Sequence, residues 1–211
     1  MRMEIKRFPL GALWTNGYLV WDEGGHAFLV DPGGEASEVR AFLEDKGLTL
    51  EWIVLTHGHG DHIGGLPQMR PLSRCGVAIH RGDADMLLEP GKNLSTFMGE
   101  PLSFDPAERI LADGEELAVG SLTVRVIHTP GHTPGGICLL VTEGEERVLF
   151  AGDTLFARSI GRTDLPGGSE ELLEASLRVL AELPDELRVL PGHGPETRIG
   201  EERRNNPFWP R

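Results

Sequence analysis

The chain has two cysteines in 211 residues, Cys75 and Cys138, too few and too far apart for a disulfide framework or a C-x-x-C site. Cys138 lies within Ile137-Cys138-Leu139-Leu140-Val141 and reads as a small buried residue. No apolar run reaches 18 residues, which excludes a membrane-spanning helix. The start, Met1-Arg2-Met3-Glu4-Ile5-Lys6-Arg7, meets charge before any long apolar stretch. No secretory signal is therefore expected, and the cytoplasm is the expected compartment. Cationic charge is short as well. Twenty Lys and Arg against 33 Asp and Glu leave a net charge of −13, which argues against a nucleic-acid partner. At this length the simplest organisation is one domain over 1–211.

Histidine is sparse too, eight in all, yet three fall in His57-Gly58-His59-Gly60-Asp61-His62, directly after the apolar run Trp52-Ile53-Val54-Leu55-Thr56. Imidazole and carboxylate are ligand types suited to zinc, iron and manganese. Gly58, Gly60, Gly64 and Gly65 are expected to take positive φ and so let several ligands converge. A turn after the strand would split the set into two groups.

The first third reads as short strands, over 5–8, 18–21 and 27–30, separated by turns at Asn16-Gly17 and Gly24-Gly25. Asp31, before Pro32-Gly33, is either a turn aspartate or an acceptor that orients a metal-bound histidine. Residues 36–46 have the apolar spacing of an amphipathic helix closed by Gly47. A strand is expected over 77–80 and a helix over 81–88. His26 and His80 have no ligand partner near them in sequence and read as structural or surface residues. Residues 89–115 are poor in apolar runs and read as a long loop, either a substrate-side lid or irregular surface.

The second half repeats one theme. Strand-like runs lead into Pro130-Gly131-His132, into Gly152-Asp153-Thr154 and, after a helix around 170–183, into Pro191-Gly192-His193-Gly194. With the first cluster, four strands end in a Gly-flanked His or Asp. Such residues can meet at one sheet edge. Strands alternating with helices point to sheets flanked by helices, an α/β (α+β) fold. The count reaches seven: His57, His59, Asp61, His62, His132, Asp153 and His193. Seven ligands exceed one tetrahedral ion and suit two divalent metals, zinc, iron or manganese, sharing a carboxylate.

On H-x-H-x-D-H followed by a later His, Asp and His, the chain resembles the metallo-beta-lactamase superfamily over nearly its whole length. The resemblance implies a four-layered αβ/βα sandwich of two mixed sheets with helices outside. It implies one metal on His57, His59 and His132, a second on Asp61, His62 and His193, and Asp153 between them. It favours the orienting role for Asp31 and gives no ligand role to His128. Gly131-His132-Thr133-Pro134-Gly135 and Gly152-Asp153-Thr154-Leu155-Phe156 look like the glyoxalase II (hydroxyacylglutathione hydrolase) group, and Gly161-Arg162-Thr163-Asp164 is similar to a segment of both glyoxalase II relatives and persulfide dioxygenases. The implied reaction is hydrolysis of S-lactoylglutathione-type thioesters by a metal-bridging hydroxide, with Asp61 catalytic. Arg158 and Arg162 are candidates for a substrate carboxylate, or for surface ion pairs. Longer glyoxalase II enzymes add a C-terminal helical extension that binds glutathione; here about 18 residues follow His193. Alternatives are a mononuclear iron persulfide dioxygenase, a lactonase-type hydrolase or a metal-binding scaffold without turnover. The expected partner is a small-molecule thioester, with no nucleic acid and no membrane.

Overall fold

Along each strand, side chains alternate between two apolar environments, and that alternation builds the layers. In the computed structural model, which describes residues 2–210, the first half supplies β1 (Glu4–Leu10), β2 (Thr15–Trp21), β3 (His26–Val30), α1 (Ser37–Lys46) and β4 (Thr49–Val54). Two single-turn helices follow, α2 (Gly60–Ile63) and α3 (Leu66–Met69), then β5 (Val77–His80) and β6 (Arg109–Leu111). These strands form a six-stranded sheet in chain order, antiparallel from β1 to β3 and parallel from β3 to β6.

The second half supplies β7 (Glu116–Val119), β8 (Leu122–His128), β9 (Ile137–Glu143) and β10 (Glu146–Gly152). A small hairpin of β11 (Leu155–Phe156) and β12 (Ser159–Ile160) precedes α4 (Glu170–Ala181), β13 (Arg188–Pro191), β14 (Thr197–Arg198) and α5 (Ile199–Asn205). Its sheet has the order β14-β13-β10-β9-β8-β7, with β10 and β13 parallel and the other pairs antiparallel.

Tyr18, Val20, Phe28 and Val30 of the first sheet share a core with Val124, Leu139, Val148 and Phe150 of the second. Their chain neighbours Leu19, Ala27 and Leu29 face the other way, onto Val39 and Leu43 of α1. Cys138, Leu149 and Ala151 likewise face Leu177 and Leu180 of α4 and Ile199 of α5. Two mixed sheets therefore pack face to face with helices outside, the expected αβ/βα order. α1 ends as its sequence suggests, with Gly47 in the left-handed region at φ 63°. α4 begins on Ser169, whose side chain accepts from the Leu172 amide.

Three local expectations change. Asn16-Gly17 is not a turn but lies inside β2, with Gly17 opposite Phe8; the connection from β1 runs through Gly11 (φ 69°) to Trp14. Asn16 is held in the strand because its side-chain amide donates to the carbonyls of Pro191 (3.0 Å) and Gly194 (2.9 Å). The helix expected over 81–88 is a 3₁₀ segment, Arg81–Leu87. The loop of 89–115 contains a 3₁₀ turn, Ser95–Met98, and the edge strand β6.

The inter-sheet core is centred on Phe150, fully buried and set edge-on against Tyr18 (ring centroids 5.2 Å apart) and Phe28 (6.3 Å). Phe150→Ala should cost about 3–5 kcal/mol, read from urea unfolding midpoints. A loss under about 1 kcal/mol would mean that this core relaxes far more than a close-packed interior does.

Candidate metal centre

The ligand-type residues meet because the turns that carry them are bonded to one another at one edge of both sheets. The Ile137 amide donates to the Thr56 carbonyl (2.9 Å), and Gly192 N–H to the Gly152 carbonyl (2.7 Å). The Asn16 amide donates to the Gly192 carbonyl (2.7 Å), and the Tyr18 hydroxyl to the Pro191 carbonyl (2.7 Å). The turns after β4, β10 and β13 thus share a backbone frame with the starts of β2 and β9.

His57 and His59 precede α2, His59 in extended backbone (φ −67°, ψ 147°), whereas Asp61 and His62 sit on its single turn. The change of conformation divides the motif. Donor atoms of His57, His59 and His132 lie within 4.8 Å of one another, and so do those of Asp61, His62 and His193. Asp153 stands between the groups: Oδ1 is 3.4 Å from His62 Nε2, and Oδ2 is 3.6 Å from His132 Nε2 and 3.5 Å from His193 Nε2. His193 Nε2 is 3.2 Å from Asp61 Oδ2, and His59 Nδ1 is 3.1 Å from His132 Nε2.

Asp31, His57 and His62 also bring donor atoms close, but Asp31 is already engaged. It takes the Thr56 amide (2.8 Å) on Oδ1 and the Thr56 hydroxyl (2.6 Å) on Oδ2, which also meets His62 Nδ1 at 2.9 Å. Its backbone is left-handed, φ 47°, a conformation that aspartate tolerates better than most residues. His62 therefore turns Nε2 toward Asp61 and Asp153. In the same way the Arg162 carbonyl meets His132 Nδ1 at 2.8 Å and leaves Nε2 facing the cluster.

His57 Nε2, His59 Nε2, His62 Nε2 and Asp153 Oδ1 are buried with no hydrogen-bond partner. Buried polar atoms are normally paired. Lone pairs of imidazole and carboxylate left facing one another fit a cation held between them. Burial, then the neighbouring imidazoles, lowers His57 well below the usual histidine value; burial and His132 bring His59 to about 3. Both are neutral near pH 7, the form that ligates. For His62 burial acts downward, but Asp153, Asp61 and Asp31 outweigh it and raise the ring well above its usual value. Burial acts upward on Asp61 and Asp153, yet His62 and its neighbours hold both below the usual carboxylate range.

The four glycines of the motif do not act as expected. None of Gly58, Gly60, Gly64 and Gly65 has positive φ. They permit close approach instead: a Cβ on Gly58 would fall 2.5 Å from Cβ of Met86, and one on Gly65 2.5 Å from the Gly34 carbonyl oxygen.

The cluster opens onto a cavity of about 660 Å³. Arg162 lines it, but its guanidinium is paired in two bonds with Asp164 (2.7 and 2.8 Å). Arg158 is not among the lining residues. His26, paired with Glu51 at 3.0 Å, stands apart from the cluster, and so do His80 and His128, stacked on each other at 4.1 Å.

Sequence reasoning passed over Asp83. It is fully buried and accepts from the Gly58 amide (3.1 Å), the Thr133 hydroxyl (2.7 Å) and the Gly135 amide (2.6 Å). One carboxylate thus clamps the His57–His62 turn to the His132 turn. Asn16 and Tyr18 hold the His193 turn in the same manner. An aspartate inside a short helical stretch carries no local mark of this role; only its burial does.

The metallo-beta-lactamase superfamily model matches residues 10–193. The chain is 38% identical to the hydroxyacylglutathione hydrolase GloC of Haemophilus influenzae, over 98% of each chain. It is similar to the crystal structure of the BLEG-1 B3 metallo-beta-lactamase, with a TM-score of 0.91 and 39% identity over 98% of this chain and 99% of that one. It is also similar to TTHA1623 solved in a di-iron-bound form, with a TM-score of 0.84 and 37% identity over 96% and 99%.

Two outcomes are expected. Asp83→Ala leaves three buried donors without an acceptor, at ~1–3 kcal/mol each, and should lower both stability and metal retention; unchanged metal content would deny Asp83 its clamping role. His80 is lowered to about 4, by burial first and then by His128 and Arg81. Its Nδ1 accepts from the Gly82 amide at 3.2 Å, a bond that protonation there would break. Unfolded histidine titrates near ~6.5, so the folded chain binds fewer protons between the two values. The resulting stability is complete above the unfolded value and lost as pH falls toward the folded one. In chelator-treated protein, wild type should therefore lose more stability than His80→Gln between about pH 7 and about pH 5; equal losses would contradict the shift.

Proposed function

This chain belongs to the metallo-beta-lactamase superfamily, and on that premise we propose that it is a metal-dependent hydrolase acting on thioesters. The observation that carries the reading is the set of buried, unpartnered imidazole and carboxylate atoms at the floor of an open cavity. The likeness to GloC, a hydroxyacylglutathione hydrolase, supports the thioester.

His57, His59 and His132 would hold one ion and Asp61, His62 and His193 a second, with Asp153 presenting one carboxylate oxygen to His62 and the other toward His132 and His193. Zinc, iron and manganese all suit these donors, and the di-iron form of TTHA1623 supports two ions. When bound, such ions supply Lewis acidity, polarising a carbonyl and lowering the pKa of water from ~15.7 toward ~7. Asp61, on the cavity wall and hydrogen-bonded by Thr15 Oγ1 at 3.3 Å, would orient the attacking water. In the reaction water adds its oxygen to the thioester carbonyl carbon and the carbon–sulfur bond breaks. The products are a carboxylate, a thiol and a proton. A thiol of pKa about 8.5 leaves without a strong acid to protonate it. The Asp31 carboxylate on His62 Nδ1 and the Arg162 carbonyl on His132 Nδ1 keep those two rings from reorienting.

Purified protein should release thiol from acyl thioesters, lose that activity to a chelator and regain it with added metal. Asp153→Ala should retain the circular dichroism of the parent while losing metal and at least ~10²-fold in turnover, the scale seen when one stabilising group is removed from an active site. Full activity with normal metal content in that variant would sink the bridging assignment. A single iron per chain with oxygen uptake, and no thiol release, would replace the hydrolase by an oxygenase.

A further inference from the structure

Beyond the metal cluster, the cavity wall is largely apolar, contributed by four separate segments. Leu13 comes from the β1–β2 connection, Phe97 and Met98 from the 3₁₀ turn Ser95–Met98, Phe156 and Ile160 from the β11–β12 hairpin, and Leu165 from the loop before α4. Phe97 is 80% exposed, Leu13 54% and Met98 46%, so large apolar side chains stand in water around the mouth of the site. Exposed apolar surface gathered at a concave site marks what the site binds.

The segment bearing Phe97 is built onto the metal centre. The Gly60 amide, first in α2, donates to the Asn93 carbonyl at 2.7 Å. The buried Asn93 side chain donates to the carbonyls of Met86 (2.8 Å) and Leu102 (2.9 Å) and accepts from the Ser95 amide (3.0 Å). Leu94 is held in the left-handed region at φ 66°, which a leucine enters only when its surroundings impose it. The turn that follows therefore places Phe97 and Met98 at the mouth by construction.

Charge recognition is nearly absent. Among the described residues that line the cavity, Arg162 is the single Lys or Arg side chain, and it forms a two-bond pair with Asp164. Arg162 holds the Asp164 carboxyl down at about 2, so the acid stays ionised and the pair is net neutral. A carboxylate brought beside it meets no net positive charge, on a chain that carries −13. Glutathione bears two carboxylates and would find no unpaired Lys or Arg side chain among the described lining residues.

We propose that the site selects uncharged thioesters with an apolar or aromatic group of several carbons, seated between Phe97, Met98, Leu13 and the β11–β12 hairpin, over thioesters of glutathione. This specificity rests on the thioesterase reading above, and binding measurements separate the two. With metal-loaded full-length protein, the phenylacetyl thioester of N-acetylcysteamine should be hydrolysed with a kcat/KM about tenfold or more above that of S-lactoylglutathione, the scale of a filled apolar subsite. Phe97→Ala should cut that ratio about fivefold or more, chiefly through KM for the apolar substrate. The non-hydrolysable thioether S-benzyl-N-acetylcysteamine, titrated calorimetrically, should bind more tightly than S-methylglutathione, and Phe97→Ala should weaken it. Preference for S-lactoylglutathione, or a ratio indifferent to Phe97→Ala, overturns the proposal and leaves the thioesterase standing. Tight, Phe97-dependent binding of the thioether without turnover of either thioester upholds the apolar site and removes the thioesterase.

Discussion

Three imidazole nitrogens and a carboxylate oxygen, His57 Nε2, His59 Nε2, His62 Nε2 and Asp153 Oδ1, are buried side by side with nothing to bond to. Each such atom costs ~1–3 kcal/mol unless something satisfies it. A chain holds them together only if the surrounding frame is strong enough, and the frame is conspicuous here. Asp31 fixes Thr56 and His62, Asp83 ties the His57–His62 turn to the His132 turn, and Asn16 with Tyr18 ties down the His193 turn. The side chains around the cluster are satisfied so that the cluster itself can remain unsatisfied, ready for the cations we propose.

The sandwich explains why the frame can be built. Two sheets packed through Phe28, Phe150 and the alternating valines and leucines bring the ends of β4, β8, β10 and β13 to one edge. The backbone bonds Ile137–Thr56 and Gly192–Gly152 then lock those ends into a common unit. The apolar mouth lies outside that unit, on the β1–β2 connection, the Ser95–Met98 turn and the β11–β12 hairpin. Such loops can change with substrate while the floor stays constant, which fits the breadth of a superfamily that shares a metal site more closely than a substrate.

Much of this was legible from residue order. The short apolar runs over 18–21, 27–30 and 148–151 mark real strands, since strands covered on both faces read as continuous apolar stretches, and the helical spacing of 36–46 with Gly47 behind it marks a real helix. Less legible were β6, β7, β11 and β12. They are short edge or hairpin strands of two to four residues, too brief to show a period. Asn16-Gly17 misled because a strong turn dipeptide was overridden by tertiary bonds from Asn16 to the Pro191 and Gly194 carbonyls. The glycines of the histidine motif were read as conformational when they are steric: Gly58 and Gly65 are small because Met86 and the Gly34 carbonyl stand against them.

The sequence by itself determined the chemistry at hand. Seven His and Asp residues at the ends of apolar runs, in an order resembling one superfamily, carried the fold class and the metal-type donor set, since ligand identity and strand period are both written locally. Tertiary structure alone decided what holds those donors in place and what surrounds them. The position of Asp153 between the groups, the approach of His193 to Asp61 and the clamp at Asp83 depend on contacts between residues 25 to more than 100 apart. So does the apolar mouth, which gathers Leu13, Phe97, Phe156 and Leu165 from separate parts of the chain. Distance in space between remote segments leaves no trace in a local pattern, and these features are made of nothing else.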